Sequence, residues 1–314
     1  MRRREFVGVL AGALGGLCIP GGATAAPLEG NGEQFVERWS WAMGQPVHLR
    51  LFAASEDAGL EAAALAIAEL RRVEAALSLF DSASDLVALN ERAGRGRVRV
   101  GTDLLAVLRR AERLRGVTGG AFNPAIEPLM RAWGFHLPRE SAPTGAELSE
   151  ARRAVAGARI VVGREDAALT AADSCLDLGG IGVGYGLDRA VLVLRRAGIR
   201  RALLEVSGDL IAIGAPPGAA GWEVDIMAER SKERIGSVLL RDAAAATSAN
   251  TQLVVRYGEL VAGHVLDPAR GVPADALTQV TVVARTGTQA DALSTAMLVS
   301  GRRPPGVQEV VLLN

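Results

Sequence analysis

Apolar residues recur every three or four positions along much of the first half of the chain. The clearest case is 57–79, where these positions predict one face of an amphipathic helix: Leu60, Ala64, Ile67, Leu70, Val73 and Leu77. The same spacing predicts three more helices, at 102–114, 126–133 and 144–156. Thr102 and Thr144 are expected to cap two of them. A strand at 47–51 precedes all four, because apolar and other positions alternate there.

Strand-like patterns dominate from Arg159 onward. They predict strands at 160–162, 168–171, 174–178, 202–206, 210–213, 222–227, 235–240, 252–257, 280–283 and 310–313. One helix, at 286–299, separates the last two. Helices that concentrate early and strands that concentrate late, with strand–helix units between them, favour an α+β fold.

A glycine-rich stretch at 176–190 connects these two patterns. Five glycines follow Asp177 within ten residues, and helical spacing then begins. We interpret the order as a strand, an exposed turn and the start of a helix, which suits a nucleotide pyrophosphate. A tight structural turn is an equal alternative, and the spacing does not match the dinucleotide fingerprint G-x-G-x-x-G.

The first 25 residues have the three regions of an export signal. Arginines occupy positions 2–4, an apolar run follows, and Ala23-Thr24-Ala25 offers a cleavage site. Arg3-Arg4-Glu5-Phe6 fits the twin-arginine form, so we expect a signal peptide at 1–25, a mature domain at 26–314 and a periplasmic location. A lipid anchor at Cys18 and an uncleaved membrane anchor are alternatives. The apolar run is too short to span a bilayer, so no span is expected after cleavage.

Composition excludes some classes of function. Of the 314 residues, 49% are apolar and the formal net charge is zero, so the chain can bury a sizeable core and a nucleic-acid-binding surface is not expected. Signal cleavage would leave Cys175 as the only cysteine, which excludes an intramolecular disulfide. We interpret Cys175 as a small buried hydrophobic residue. Three scattered histidines and one cysteine do not form a structural zinc motif.

Two polar residues share one face of the last predicted helix. Asp291 and Thr295 are four positions apart. A carboxylate and a hydroxyl in this arrangement can bind a hard cation such as Mg²⁺, which prefers oxygen ligands and keeps several waters. The alternative is an ordinary surface acid beside a helix-face hydroxyl, and the two residues taken alone favour that alternative.

His264 is the histidine with the most suggestive surroundings. It ends an apolar stretch, and an Asp-Pro turn follows in which Asp267 is expected to bond its own backbone. Its imidazole can take a proton from an attacking hydroxyl near neutral pH, although a structural role is the commoner one. We interpret His48 as a surface strand residue and His136 as a surface or packing residue.

Several short motifs occur along the chain in a fixed order. They are Met43-Gly44, Ser84-Asp85 with Leu89-Asn90, Thr118-Gly-Gly-Ala-Phe-Asn-Pro124, Trp133-Gly-Phe135, Asp177-Leu-Gly-Gly-Ile-Gly-Val-Gly-Tyr-Gly-Leu-Asp188, Gly208-Asp209, Thr247-Ser248, His264-Val-Leu-Asp-Pro268 with Gly271, and Ala290-Asp-Ala-Leu-Ser-Thr-Ala296. Each motif is modest, but together they resemble the ApbE family, the FAD:protein FMN transferases, over roughly 41–312.

The resemblance implies a single ApbE-like domain of α+β fold, with mixed or antiparallel sheets and flanking helices. It also implies Mg²⁺-dependent transfer of FMN from FAD to a Ser or Thr hydroxyl of an acceptor flavoprotein, with release of AMP. By position, Asp291, Thr295 and the carbonyl of Gly180 would hold the metal, and His264 would be the base. The residues expected to contact FAD are Met43, Ala121, Phe122, Asn123, Asp177, Val183 and Val265.

The sequence departs from the family pattern at four positions. Val183 stands where the family usually has a lysine near the phosphates, and Asn123 stands for an aspartate. Ser207 and Ala249 each replace a glycine. Two alternative functions stay open: an FAD pyrophosphatase that yields FMN and AMP without an acceptor, and a catalytically degenerate FAD-binding protein.

Overall fold

The computed structural model describes residues 17–18, 32–251 and 253–313. The predicted signal peptide therefore lies outside the described residues, except for the two that form β1. The helices are α1 (Glu56–Leu77), α2 (Asp85–Glu91), α3 (Thr102–Val117), α4 (Glu127–Ala132), α5 (Gly145–Gly157), α6 (Gly182–Arg196) and α7 (Gly287–Ser300). The strands are β1 (Leu17–Cys18), β2 (Gln34–Ala42), β3 (Gln45–Ala53), β4 (Val98–Arg99), β5 (Ile160–Val162), β6 (Asp166–Leu169), β7 (Arg201–Val206), β8 (Asp209–Ile213), β9 (Trp222–Met227), β10 (Arg234–Leu240), β11 (Ala244–Ala249), β12 (Val254–Tyr257), β13 (Leu260–Gly263), β14 (Gln279–Ala284) and β15 (Glu309–Leu313).

A seven-stranded antiparallel sheet is the centre of the fold. Its strand order is β15-β14-β11-β8-β7-β3-β2, and three smaller sheets surround it: β1-β9-β10, β12-β13 and β4-β6-β5. Because every second residue of a strand faces the same side, the sheet presents two different faces. This architecture confirms the predicted α+β fold with antiparallel sheets and flanking helices.

Each face of the main sheet is covered by a different layer. Helices α1, α6 and α7 pack on one face and bury the larger core, which includes Leu49, Leu51 and Leu204. The sheet of β9 and β10 covers part of the opposite face, where Trp222 and Phe52 belong to a second core. The proposed site lies at the helix-covered side, where α6 and α7 meet the ends of the strands.

Most predicted elements are confirmed, with small shifts at their ends. The first helix begins at Glu56 because the Ser55 hydroxyl accepts the Ala58 N–H. Thr144 and Glu147 form the capping box of α5. Thr102, in contrast, is the first residue of α3 and makes no capping bond, so that detail is wrong.

The strand predicted at 174–178 is wrong. This segment is a loop, and its backbone groups bond to partners that are not strands. The Asn90 side chain makes two hydrogen bonds with the backbone of Leu176, and the Asp177 N–H donates to Pro124 O at 2.8 Å. The apolar run therefore belongs to a buried loop. A side-chain amide makes the hydrogen bonds to its backbone groups that a neighbouring strand would otherwise make.

Two further expectations fail in the main sheet. His48 is only 8% exposed rather than a surface residue, because Trp39 stacks on its ring at 3.8 Å and Glu37 accepts a 2.6 Å hydrogen bond. The strand β11 lies where no strand was predicted, since its run of alanines carries no alternating signal. Among the described helices, none combines the length and apolar composition that a bilayer-spanning segment requires.

Candidate active site

The crossing of α6 and α7 places Asp291 beside the glycine-rich stretch. The helices touch at Gly184 and Gly287, and a Cβ atom on Gly184 would lie 2.1 Å from the carbonyl oxygen of Gly287. Only glycine permits this approach. At the same point the Gly184 N–H donates a 3.0 Å hydrogen bond to Oδ2 of Asp291, a residue that is 6% exposed.

The start of α7 is held by a carboxylate from α6. Asp188 accepts hydrogen bonds from the N–H groups of Gly287 (2.7 Å) and Thr288 (3.1 Å), and from the Thr288 hydroxyl (2.5 Å). The first N–H groups of a helix have no partner within it, so these bonds stabilise the start of α7. They fix the direction in which the helix carries Asp291 and Thr295 towards the glycine-rich stretch.

Thr295 lies one turn after Asp291 and faces Gly180. Its Oγ1 is 3.3 Å from the point that a Cβ on Gly180 would occupy, and the Phe122 ring is 3.6 Å from that point. The structure therefore brings together the three residues expected to hold Mg²⁺. A carboxylate, a hydroxyl and a backbone carbonyl are all hard oxygen donors, so the set fits this metal.

These residues line a cavity of about 280 Å³. The end of β7, the end of β11 and the segment after β13 supply the other walls. Ten of the predicted site residues line it: Ala121, Phe122, Asn123, Asp177, Gly180, Val183, His264, Val265, Asp291 and Thr295. One concave pocket with a few convergent polar groups is the usual form of a small-molecule site.

Met43 is the predicted site residue that does not line this cavity. Its backbone adopts a left-handed conformation with φ of 57°, and its N–H donates to Oε2 of Glu74 at 2.6 Å. Its sulfur lies 2.7 Å from the point that a Cβ on Gly186 would occupy. Met43 therefore packs on α6, and nearby Gln45 lines the cavity instead.

The cavity lining is acidic. In the described part of the chain its charged side chains are Asp177, Asp209 and Asp291, with no arginine or lysine among them. Burial raises the pKa of Asp291, and burial together with the charge of Asp291 raises the pKa of Asp209 well above its ordinary value. A bound cation would relieve this repulsion between the two carboxylates.

The donors in the cavity favour Mg²⁺ over a zinc-type ion. No group of three or more His, Cys, Asp or Glu side chains is arranged to hold a metal in the residues described here. Mg²⁺ is commonly held by one or two carboxylates together with waters and the phosphates of its substrate. Asp291, Thr295 and Gly180 match that sparse set, whereas a structural zinc site needs four side-chain ligands.

His264 reaches the cavity as a neutral imidazole. Burial lowers the pKa of His264 below its ordinary value. The Leu253 backbone and the charge of Asp177 act to raise this pKa, but their effects are smaller than that of burial. Its Nδ1 is buried without a hydrogen-bond partner, and the ring meets the edge of Phe135 with centroids 6.5 Å apart. A neutral imidazole with an unpaired nitrogen can accept a proton.

One asparagine holds the segment that carries His264. The Asn250 side chain accepts the Val265 N–H at 2.9 Å and donates to the carbonyls of Val265 and Ala274. Further along, Asp267 accepts the N–H groups of Ala269 and Arg270, which confirms the predicted turn. These bonds fix the backbone on both sides of the wall formed by Val265.

Sequence reasoning missed two polar residues of the lining. Gln45 lies at the start of β3 and had no distinguishing pattern. Asp209 was included only within the Gly208-Asp209 motif of the family. In the structure, Ser207 and Gly208 both have positive φ and direct the chain sharply into β8, which begins at Asp209.

A second, larger cleft of about 940 Å³ adjoins the cavity. The two share Ala121, Asn123 and Pro268 as a common wall. The second cleft is lined by three arginines, Arg115, Arg302 and Arg303, and one carboxylate, Asp267, together with several apolar and small residues. It therefore differs in charge from the acidic cavity beside it.

Comparisons with known proteins agree with this geometry. The sequence model of the ApbE family matches residues 43–305. The chain belongs to the ApbE family. Among curated relatives, the FAD:protein FMN transferase of Treponema pallidum is 32% identical over 253 residues, covering 74% of this chain and 69% of that protein. A FAD:protein FMN transferase of Klebsiella pneumoniae is 28% identical over 272 residues, covering 82% and 80%.

Solved structures of ApbE proteins share the fold. The crystal structure of the ApbE protein of Thermotoga maritima superposes with a TM-score of 0.78 at 27% identity, covering 85% of this chain and 87% of that one. The flavin transferase ApbE of Vibrio cholerae gives a TM-score of 0.72 at 25% identity, with the same coverage. The similarity therefore extends over most of both chains rather than over one motif.

Proposed function

We propose that this member of the ApbE family is an enzyme that transfers FMN from FAD to a Ser or Thr hydroxyl of an acceptor protein and releases AMP. One observation carries the proposal: Asp291, Thr295 and Gly180 meet in the same cavity as a neutral His264. The curated relatives named FAD:protein FMN transferase, which the chain covers over about 70–80% of their length, support it.

The reaction exchanges one oxygen on phosphorus for another. The acceptor hydroxyl oxygen forms a bond to the phosphorus of the FMN half, and the bond from that phosphorus to the bridging oxygen breaks. The bridging oxygen leaves with AMP. The acceptor hydroxyl must lose its proton, and we assign that proton to His264, whose imidazole is neutral and lines the cavity.

We assign Mg²⁺ binding to Asp291, Thr295 and the carbonyl of Gly180. When bound, Mg²⁺ supplies positive charge to the diphosphate and to the oxygen that leaves with AMP. The cavity has particular need of such charge, because no basic side chain lines it within the described residues and burial disfavours the ionised forms of Asp209 and Asp291. The diphosphate of FAD carries two negative charges, so binding is expected to depend on the metal.

The acceptor protein needs a route to the cavity, and we assign that route to the second cleft. It shares Ala121, Asn123 and Pro268 with the cavity, so a segment lying in it can present a hydroxyl to the shared wall. Its arginines favour an acceptor segment with acidic residues. We also propose a periplasmic location, on the sequence pattern of residues 1–25 alone.

A catalytically degenerate FAD-binding protein is the second candidate function. It is favoured by Val183, which places an apolar side chain where the family usually has a lysine. On this alternative, FAD binds but no AMP appears, and Val183→Lys raises turnover by restoring a cation near the phosphates.

One experiment separates these functions. Purified protein is incubated with FAD, MgCl₂ and candidate acceptor proteins, with in-gel flavin fluorescence and chromatographic AMP measured together. Transfer gives a fluorescent acceptor and equimolar AMP, whereas a pyrophosphatase gives AMP and free FMN without acceptor. His264→Ala is expected to abolish transfer, while His48→Ala, at a histidine outside the cavity, is the matched control. Transfer at the wild-type rate by the His264 variant would remove its assignment as the base.

A further inference from the structure

His136 lies between two carboxylates from different parts of the chain. Its Nε2 is 3.2 Å from Oδ2 of Asp177, and its Nδ1 is 3.6 Å from Oε1 of Glu127. All three side chains are largely buried, with exposures of 12% for His136, 15% for Asp177 and 5% for Glu127. The edge of Phe80 covers the imidazole ring at a centroid distance of 5.7 Å. This histidine is therefore neither a surface residue nor a purely apolar packing residue.

Asp177, His136 and Glu127 form a row of three side chains, and Glu127 is the end of this row that does not line the cavity. Arg131 pairs with both oxygens of Glu127, at 2.9 and 2.6 Å. Burial alone would raise the pKa of Glu127, but the contacts with His136 and Arg131 outweigh burial and lower the pKa to about 2, so Glu127 is ionised at neutral pH. Cys175 also lies beside Glu127, and burial raises the pKa of its thiol to about 12, so the thiol is neutral.

The imidazole of His136 is charged at neutral pH. Burial alone would lower its pKa, but the contacts with Asp177 and Glu127 outweigh burial and raise it to about 9. The other titratable groups around Asp177 and His136 do not reverse this balance: His264 and Cys175 are neutral, and the charge of Arg131 is paired with Glu127. A positive charge therefore sits directly behind the Asp177 carboxylate.

Asp177 is the member of this row that faces the cavity. Its Oδ1 accepts the Gly179 N–H at 2.7 Å, while Oδ2 contacts His136. Its own backbone N–H donates to Pro124 O. With both oxygens and the backbone engaged, the carboxylate has one preferred orientation, next to the glycine-rich turn. The His136 contact is the charged one among these, so its loss should loosen Asp177 most.

We propose that His136 is a positioning residue for FAD binding: it orients the Asp177 carboxylate at the cavity wall and compensates its negative charge. The proposal rests on the proposed function, because it takes FAD as the ligand of this cavity. It explains how an acidic cavity without arginine or lysine in its described lining can accept an anionic ligand beside Asp177. His136 acts through Asp177 and is not itself part of that lining.

The test uses His136→Gln, which keeps a hydrogen-bond donor but removes the charge. The FAD dissociation constant, measured by quenching of flavin fluorescence with MgCl₂ present, is expected to rise about tenfold at pH 7, because the variant loses the largely buried ion pair that holds Asp177. In the wild type, affinity should fall as pH rises through about 9, where His136 loses its proton. In the variant this fall should be absent. The turnover number with saturating FAD should change little, both when His136 is replaced by Gln and when the pH rises through about 9.

A second measurement does not depend on FAD. The ring resonances of His136, assigned by their absence from His136→Gln, are expected to titrate near pH 9 in the free protein. In Asp177→Asn they should titrate at a lower pH, because one of the two flanking charges is gone. This spectrum also shows whether each variant is folded.

The matched control is His48→Gln. His48 is also buried and lies near two carboxylates, those of Glu37 and Glu205, but it does not line the cavity. It should leave the FAD dissociation constant and its pH profile unchanged. Wild-type FAD affinity and pH profile in a folded His136→Gln protein would overturn the positioning role. A wild-type protein that binds no FAD at all would instead overturn the proposed function.

Discussion

The backbone N–H of Gly184 and the carboxylate of Asp291 are joined by a 3.0 Å hydrogen bond in the interior of the protein. This bond connects the first turn of α6, which follows the glycine-rich turn, to the residue of α7 that we assign to the metal. Since Gly184 and Gly287 bring the two helices into backbone contact at the same point, the geometry of the site is set by the helix crossing.

Gly184→Ala is expected to destabilise the protein and to displace Asp291. The added Cβ would lie 2.1 Å from the Gly287 carbonyl oxygen and 2.8 Å from Cβ of Asp291. Overpacking of this kind costs about 2–3 kcal/mol. Urea unfolding should show that loss, and FAD turnover should fall in the molecules that remain folded. Gly116→Ala, in α3, is the control. A Cβ at Gly116 would meet nothing within 4 Å, so the free energy of unfolding should rise by roughly 0.5–1 kcal/mol.

Asp188→Ala is expected to loosen the start of α7. It removes the acceptor of two backbone N–H groups and of the Thr288 hydroxyl, all partly buried. Loss of such a cap costs about 2 kcal/mol. Hydrogen exchange of the Gly287 and Thr288 amides should accelerate more than exchange in α3. Asp188→Asn keeps one acceptor oxygen, so exchange of these two amides in that variant should be faster than in the wild type and slower than in Asp188→Ala. Unchanged exchange in the alanine variant would contradict the capping role.

Thr295→Val is expected to remove Mg²⁺-dependent turnover of FAD without unfolding the protein. Valine has nearly the shape of threonine but lacks the hydroxyl that faces Gly180. Thr295→Ser keeps the hydroxyl and should retain most of the activity. Chromatographic AMP release at increasing MgCl₂ measures the effect, and chelation with EDTA should reduce the wild type to the level of the valine variant. Equal activity of the valine and serine variants would exclude Thr295 as a ligand.

The stability of the apo protein should decrease as pH rises through the pKa of His136. Its folded-state pKa of about 9 lies above the value of 6.5 expected when unfolded. The stabilisation is therefore fully present below about pH 6.5 and disappears as pH rises above about 9. Thermal unfolding of the wild type and His136→Gln across this range should show a difference in free energy, up to about 3 kcal/mol, that vanishes at high pH. A difference that does not vary with pH would contradict the charge of His136.

Sequence patterns located the elements of the site better than its contacts. The i,i+4 pair of Asp291 and Thr295 and the glycine-rich start of α6 were visible because helical spacing is a local property. Their meeting with Gly180 and with His264 depends on how α7 crosses α6 and on where β13 ends, which no local pattern contains. The resemblance to the ApbE family supplied that long-range information.

The failed expectations share a physical cause. The 174–178 loop and His48 were assigned from local polarity, but tertiary partners decide both. Asn90, in α2, makes hydrogen bonds to the backbone of the loop, and Trp39, on the neighbouring strand, stacks on the ring of His48. His136 is similar, since its two carboxylates come from α4 and from the loop before α6. A single sequence contains these residues but not the distances between them.

The environment of Cys175 has a consequence for handling the protein. A thiol held protonated beside Glu127 is a poor nucleophile, because the thiolate is the reactive form. In an oxidising compartment such a cysteine resists glutathione adducts and mixed disulfides. Cys175 is only partly buried, so alkylating reagents can reach it in the folded protein, and the small thiolate population should make its labelling slow at neutral pH and faster as the pH rises.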